Sequence, residues 1–209
     1  NPEPAEDQGD PARDNLTVQV NTTDEQPSDD ATRLTTAVVT ELSRYSNIEP
    51  TRSDTGIADY KLELSYLTED HSSINLQLFH QGNLPLAENL TTSDNITTTA
   101  QRIAALIGSP AGGAIGHHLM QSSRSKPVEK LTRPECLAHG YGCTSCSGEF
   151  DSITPRAVQC LAKLLENDPN DQDAWALQST VYSRQYLWGS SLQEPMRSDK
   201  SKRSFLQSK

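Results

Sequence analysis

The chain contains four cysteines, and their spacing is the feature most suggestive of chemistry. Three lie within the segment RPECLAHGYGCTSC, as Cys136, Cys143 and Cys146, and the fourth, Cys160, lies in ITPRAVQCLAK. Thiols at such spacings bind zinc, form a redox-active pair or form disulfides. These outcomes belong to different cellular compartments, so the state of the cysteines also bears on function.

Zinc binding would need four well-placed ligands. Cys143 and Cys146 have the two-residue spacing of half a structural zinc site, and Cys136, His139 or Cys160 would have to complete it. Structural zinc sites usually contain two close pairs, whereas this chain has one pair and two scattered cysteines. We therefore predict no metal site and no cofactor.

A redox-active CxxC motif normally opens a helix beside a strand, but CTSC follows a glycine-broken helical segment with no strand before it. Structural disulfides have three possible pairings among four cysteines. Two antiparallel helices joined by a loop near residues 148–153 would bring Cys136 or Cys143 opposite Cys160, and both pairings remain open at this point.

The sequence contains no recognisable catalytic arrangement, and we predict that it is not an enzyme. No Ser-His-Asp or Cys-His set can be placed with any geometry. His117 and His118 lack surrounding carboxylates and are interpreted as an exposed helix end, and GSPAGGAIG lacks the ending of a phosphate-binding loop. Trp175 and Trp188 are interpreted as packing residues.

Composition narrows the class of partner. The 209 residues include 18 Lys+Arg and 28 Asp+Glu, a formal net charge of −10. Such a surface repels phosphate backbones, so we expect no nucleic-acid binding through this segment. Only 33% of residues are hydrophobic, which predicts a small core and some loop-rich or disordered sequence. The longest weakly apolar run, residues 103–116, is too short to cross a bilayer.

Hydrophobic periodicity predicts an α+β protein with an N-terminal mixed sheet and helices on one face, in the order β-α-β-β-β-β-α, followed by a helical segment. We expect a disordered tail or linker at residues 1–15, an α/β domain at 16–121, a linker at 122–133 and the helical segment at 134–209. The predicted strands are 16–20, 48–52, 58–67, 74–80 and a shorter one at 84–90, the last three forming an antiparallel meander.

Capping residues predict where the helices begin. Ser28 or Asp29 should cap the first helix, which would end near Asn47, and Ser93 or Asp94 should cap the second. A short helix should follow at residues 114–121. In the helical segment, Thr154 should cap a helix with Pro155 at its first position.

The run AVQCLAKLLENDPNDQDAWALQSTVYS resembles a tetratricopeptide-type repeat junction. Such junctions combine a small residue and leucines on one helix, an acidic-Pro-Asn turn and Asp-Ala-Trp-Ala at the start of the next helix; the matching residues are Ala157, Leu161, Leu165, Asp168, Pro169, Asn170, Asp173, Ala174, Trp175 and Ala176. The following YSRQYLWG resembles the helix end of one subgroup of these repeats. That subgroup forms the periplasmic part of bacterial membrane-anchored regulators, including CadC-like winged-helix activators and some adenylate cyclases. There, a domain resembling the TolB amino-terminal domain precedes the repeats.

The resemblance implies a disulfide pairing. Family members often carry one cysteine near the start of the first helix and another in the second, the places of Cys136 and Cys160. On the basis of this resemblance we expect disulfides rather than free thiols. We favour Cys136–Cys160 with a local Cys143–Cys146 bridge over the rival pairing Cys143–Cys160.

The resemblance also implies a function. We expect the periplasmic sensor domain of a single-pass inner-membrane transcriptional regulator, which binds an unknown small molecule or periplasmic protein and signals to a cytoplasmic winged-helix domain. Homodimerisation is one way in which the signal could pass. The crevice between the α/β domain and the first helices is the expected binding place. The alternative function is a non-catalytic helical-repeat scaffold or assembly factor that holds a partner protein.

Overall fold

The structure is a computed structural model, and it describes residues 15–23, 27–52, 58–67, 72–92, 95–110, 112–145 and 150–188. Apart from Asn15, the predicted tail therefore lies outside the described residues. The described part contains a five-stranded mixed sheet and six α-helices, which confirms the α+β class.

The elements follow one another from the N-terminal sheet to the C-terminal helices. In chain order they are β1 (Leu16–Thr22), α1 (Asp29–Leu42), β2 (Ile48–Thr51), β3 (Tyr60–Tyr66), β4 (Ser73–His80), β5 (Asn83–Thr91), α2 (Ile96–Gly108), α3 (Ala114–Ser122), a 3-10 turn (Val128–Lys130), α4 (Arg133–Ser145), α5 (Phe150–Asn167) and α6 (Gln172–Trp188). None of the helices in the described residues is long and apolar enough to span a membrane.

The sheet has the strand order β2-β1-β3-β4-β5. β1 lies parallel to both β2 and β3, whereas β3, β4 and β5 form the predicted antiparallel meander. β2 is an edge strand and contains Pro50. Proline has no backbone N–H to donate, and an edge strand tolerates it because that side can face away from the sheet. β1 is therefore the central strand of the parallel part.

The fifth strand corrects one prediction. β5 spans nine residues and is not the short strand expected. Its side chains are mostly exposed or half-buried, so it lacks the alternation that marks a half-buried strand. The two-residue turn before it has positive φ at both Gln81 and Gly82, which suits the twist of a tight hairpin and fixes the start of β5.

One face of the sheet carries the first hydrophobic core. Alternate residues of β1, β3 and β4 point toward helices α1 and α2, and their shared core includes Val18, Val20, Tyr60, Leu62, Leu64, Ile74, Leu76, Leu78, Leu34, Val38, Leu42, Ile103 and Ile107. The opposite face carries polar side chains such as Lys61 and Glu63. The period-two pattern of each strand thus decides which face receives the helices.

The helix boundaries confirm some predicted caps and correct others. Ser28 caps α1 and accepts a hydrogen bond from the Ala31 amide at 3.2 Å, but the helix ends at Leu42 and not near Asn47. Asn95 caps α2 by accepting from the Thr97 amide at 2.8 Å, whereas the predicted caps Ser93 and Asp94 lie outside the described residues. Competing cap-forming residues sit side by side here, so sequence alone does not select among them.

The start of α5 differs from the prediction. The helix begins at Phe150 and contains Pro155, so Thr154 is not its cap. Proline in this position removes one backbone hydrogen bond near the start of the helix. The remaining turns offset that loss because Ala157, Cys160 and Leu161 pack fully buried against neighbouring helices.

The second core lies among α4, α5 and α6. Gly140 sits where α4 approaches both partners: a Cβ there would lie 3.2 Å from Leu177 Cδ1 and 3.4 Å from Leu161 Cδ1. A side chain at this position would require Leu177 to move by a few tenths of an ångström. Close packing explains why a helix forms here although Gly140 and Gly142 lower its intrinsic helix propensity.

The first core predicts a large difference between two leucines of the meander. Leu76 in β4 is fully buried, whereas Leu84 in β5 is 49% exposed. We expect Leu76→Ala to lower the free energy of unfolding by about 2–5 kcal/mol through lost contacts and a cavity, and Leu84→Ala to have a much smaller effect. Urea unfolding followed by far-UV circular dichroism measures both, and equal losses would contradict the assigned core.

Candidate functional site

A cleft at the carboxyl ends of the parallel strands is the candidate binding site, and we call it the strand-end cleft. Its volume is about 540 Å³, within the usual range for small-molecule sites. It is lined by Val20, Asn21, Thr22, Thr23, Pro27, Thr32, Thr35, Arg52, Lys61 and Glu63. Open α/β sheets commonly bind ligands outside the carboxyl ends of parallel strands, at the point where the strand order reverses direction.

Unequal strand lengths create the cleft. The pairing of β1 with β2 ends at Gln19 and Thr51, while its pairing with β3 continues to Thr22 and Leu64. Among the strands described, Val20–Thr22 therefore have a neighbour on one side only. β1 turns into α1 after this point, so the first turns of that helix form the opposite wall.

Charged side chains stand on two walls of the cleft. Arg52 follows β2, and its Nη2 donates to the Thr32 carbonyl oxygen at 3.4 Å and to Thr36 Oγ1, so helix α1 holds the guanidinium. On β3, Lys61 Nζ pairs with Glu63 Oε1 at 2.8 Å. Both signs of charge are thus presented to one cavity.

The disulfide predicted for the helical segment is present. Cys136 of α4 and Cys160 of α5 are bonded, with their Cα atoms 5.3 Å apart, and both are fully buried. This excludes the rival pairing Cys143–Cys160 and removes two of the possible zinc thiolates. Cys143 lies buried in the last part of α4, and Cys146, with its expected local bridge, lies outside the described residues.

Metal binding finds no support in the described ranges, where no group of three or more His, Cys, Asp or Glu residues is arranged to hold an ion. The redox-active CxxC also lacks its usual setting. Cys143 lies inside α4, and a 3-10 turn, not a strand, precedes that helix. A thioredoxin-like CxxC would instead open its helix.

Packed side chains join the α/β domain to the helices in the region where the crevice is expected. Ala138 of α4 joins the first core, and buried His139 Nε2 lies 3.0 Å from Ser123 Oγ. Arg156 of α5 donates through Nε to His139 Nε2 at 3.3 Å and through Nη2 to the Ser123 carbonyl oxygen at 2.8 Å. The two parts therefore meet in a tight polar junction, and the candidate cleft lies elsewhere.

A second set of contacts ties the start of α4 to the start of α6. Arg133 binds Asp171 through two hydrogen bonds of 2.8 and 2.9 Å and reaches Asp173 at 3.0 Å. Ser46 of the α/β domain donates to the same Asp173 carboxylate at 3.1 Å. Burial opposes ionisation of Asp171, but its bonds to Arg133 and to backbone amides outweigh it and lower the carboxyl pKa.

His118 occupies a different environment from the exposed helix end predicted for it. Its Nδ1 lies 2.9 Å from the Tyr60 hydroxyl, and its ring is 4.9 Å from that of His80. Burial lowers the pKa of His118, and the neighbouring His80 and His117 add to the effect. Burial likewise raises the pKa of the Tyr60 hydroxyl. His117 remains exposed, as predicted.

Comparison with known proteins gives no family: no family model matches the sequence, and no curated protein matches it significantly.

The disulfide predicts a redox-dependent stability. Replacing both cysteines in Cys136→Ala/Cys160→Ala removes a bridge between residues 24 positions apart, which corresponds to about 3 kcal/mol of loop-closure free energy. We expect urea unfolding of the double variant to match that of reduced wild-type protein, with both less stable than the oxidised form. An oxidised wild type no more stable than the variant would contradict this role.

The histidine environments predict loss of stability in mild acid. The pKa of His118, like that of His139, is lowered in the folded state below its ordinary value of 6.5. Below pH 6.5 the unfolded chain therefore binds more protons than the folded protein. The contribution of these neutral histidines to the free energy of unfolding is complete above pH 6.5 and is lost as the pH falls through the folded-state pKa. Melting temperatures across this range should show a shallower decline for His118→Gln.

His117→Gln is the matched control, because it removes an exposed histidine from the same helix. It should change the pH profile of the melting temperature much less than His118→Gln does, because His117 only adds to the effect of burial on the pKa of His118. Identical pH profiles for the wild type, His118→Gln and His117→Gln would contradict the assignment of this pH dependence to His118. We expect His118→Gln to keep part of the pH dependence, because His139 is still present.

Proposed function

We propose that this segment is the extracytoplasmic sensor domain of a single-pass membrane-anchored regulator, similar to CadC-like activators, and that it binds its ligand in the strand-end cleft. The observation that carries the proposal is the buried Cys136–Cys160 disulfide. Structural disulfides persist in oxidising compartments and are rare in the bacterial cytosol. The bacterial periplasm is such a compartment, and the proposed parent protein would present this domain there.

The helical segment supports the resemblance on which the proposal draws. Leu161 and Leu165 of α5 and Ala174 and Leu177 of α6 are buried together, as a tetratricopeptide-type helix pair requires. The acidic-Pro-Asn turn between these helices is closed by Trp175, whose Nε1 donates to the Pro169 carbonyl oxygen at 2.8 Å. Two helices of a repeat cannot bury every apolar face alone, and such units normally stack on neighbours.

The junction supports a role in passing a signal from one part of the domain to the other. Ser123, His139 and Arg156 connect the end of α3 to α4 and α5, while Ser46 and Asp173 connect the loop after α1 to α6. A change in the position of α1 would be felt at α6 through these contacts. In the parent protein, such a shift would favour one association state of two copies and so bring two winged-helix domains together.

The topology of the parent protein tests this proposal. We expect a transmembrane helix upstream of Asn1 and a winged-helix domain before it, so a fusion of alkaline phosphatase after Lys209 should be active, because that enzyme matures only in an oxidising compartment. A β-galactosidase fusion at the same point should be inactive. The reverse result, or a parent chain without a transmembrane helix, would contradict the proposal.

A further inference from the structure

The strand-end cleft carries charges of both signs within an acidic protein. Arg52, Lys61 and Glu63 are the charged residues among its described lining. A purely anionic ligand would meet a formal net charge of −10 on the chain, and a purely cationic one would meet the Arg52 guanidinium. Arg52 stands on one wall, and the Lys61–Glu63 pair puts the carboxylate of the cleft on the other.

Arg52 is built to receive a carboxylate. Its Nη2 is held by helix α1 through Thr32 and Thr36, which fixes the plane of the guanidinium. A guanidinium presents its remaining N–H donors in a planar fork that matches two carboxylate oxygens. Fixing the plane in advance lowers the conformational entropy that binding would cost.

Glu63 is placed to receive an ammonium group. Its Oε1 pairs with Lys61 Nζ at 2.8 Å, which orients the carboxylate and leaves the Oε2 side for a second donor. The Glu63 side chain is only 23% exposed, so a contact there is less screened than one on the open surface. Asn21, the register partner of Glu63 on β1, adds a neutral hydrogen-bonding group beside it.

We propose that the strand-end cleft binds a small zwitterion, a molecule with one carboxylate and one ammonium group, with the carboxylate on Arg52 and the ammonium on Glu63. This assignment rests on the proposed sensor function and names its ligand class. A zwitterion has no net charge, so the acidic surface neither attracts nor repels it at long range. Thr22 and Thr23, at the end of β1, line the same cleft and add hydroxyl groups to it.

The test compares a zwitterion with each of its charged halves. The probes are 4-aminobutyrate, butyrate, butylamine and inorganic phosphate, each titrated into isotopically labelled oxidised protein and followed by the backbone amide signals of Asn21–Thr23. We expect saturable shifts with 4-aminobutyrate and affinities at least about tenfold weaker for the other three, because each of them lacks at least one of the two charge-assisted contacts. The titration is repeated with glycylglycine, a zwitterion with a different distance between its ammonium and carboxylate groups.

Two variants locate the contacts, and each has a matched control. Arg52→Gln and Glu63→Gln should each weaken binding of the zwitterion about tenfold or more. Arg33→Gln, at a 71% exposed arginine on α1, and Glu49→Gln, at an exposed glutamate on β2, should leave it unchanged. Unchanged circular dichroism spectra would show that all four variants are folded.

Three outcomes would overturn the proposal. Butyrate or phosphate could bind as tightly as 4-aminobutyrate, or butylamine could bind as tightly as 4-aminobutyrate. The third outcome is that neither 4-aminobutyrate nor glycylglycine causes a saturable shift at Asn21–Thr23. Each of these bears on the ligand and not on the topology of the parent protein, so failure of the ligand assignment is distinguishable from failure of the sensor proposal. Active alkaline phosphatase fusions combined with no zwitterion binding would point to a sensor with a different ligand.

Discussion

The helical part of this protein depends on the covalent bond between α4 and α5. Helix α4 contains two glycines and lacks a continuous apolar stripe, so its own sequence contributes little to helix stability. Cys136 fixes it to Cys160, and Gly140 then lets it approach Leu161 and Leu177 closely. Because α4 also packs on α3, this bond indirectly sets how the helices sit against the sheet.

The polar junction complements that bond. Burying a hydrogen-bonding group without a partner destabilises a fold. Here His139 is hydrogen-bonded to Ser123 and Arg156. Arg133 is hydrogen-bonded to Asp171 and Asp173. Each pairing requires residues from two or more elements in fixed positions. The α/β part and the helical part are thereby held in one arrangement, which is what a domain needs if binding at one end is to be felt at the other.

Much of the fold was predictable where the sequence pattern reflects burial. The alternation of Tyr60, Leu62 and Leu64 predicted β3, and the spacing of Leu34, Val38 and Leu42 predicted the buried face of α1. The length of β5 was not predictable, because its side chains are largely exposed on both faces and so show no alternation. The helix start at Phe150 was missed because Pro155 is a strong but not absolute signal for a first turn.

The candidate site was harder to predict than the fold. The disulfide pairing followed from a family resemblance, since spacing alone left Cys136 and Cys143 as equal partners for Cys160. The Tyr60–His118 contact joins residues 58 positions apart, and no local pattern marks it. The strand-end cleft exists because β2 stops pairing at Thr51 while β1 continues to Thr22, a difference in length that only the assembled sheet reveals.

The most direct test of this account is the state of the cysteines in protein isolated from its own cell. Intact mass before and after thiol alkylation, followed by peptide mapping without reduction, distinguishes a bridge from free thiols. The account predicts that Cys136 and Cys160 resist alkylation and appear as one cross-linked peptide pair. Alkylation of both residues after denaturation without a reductant would contradict the oxidising compartment and, with it, the proposed sensor function.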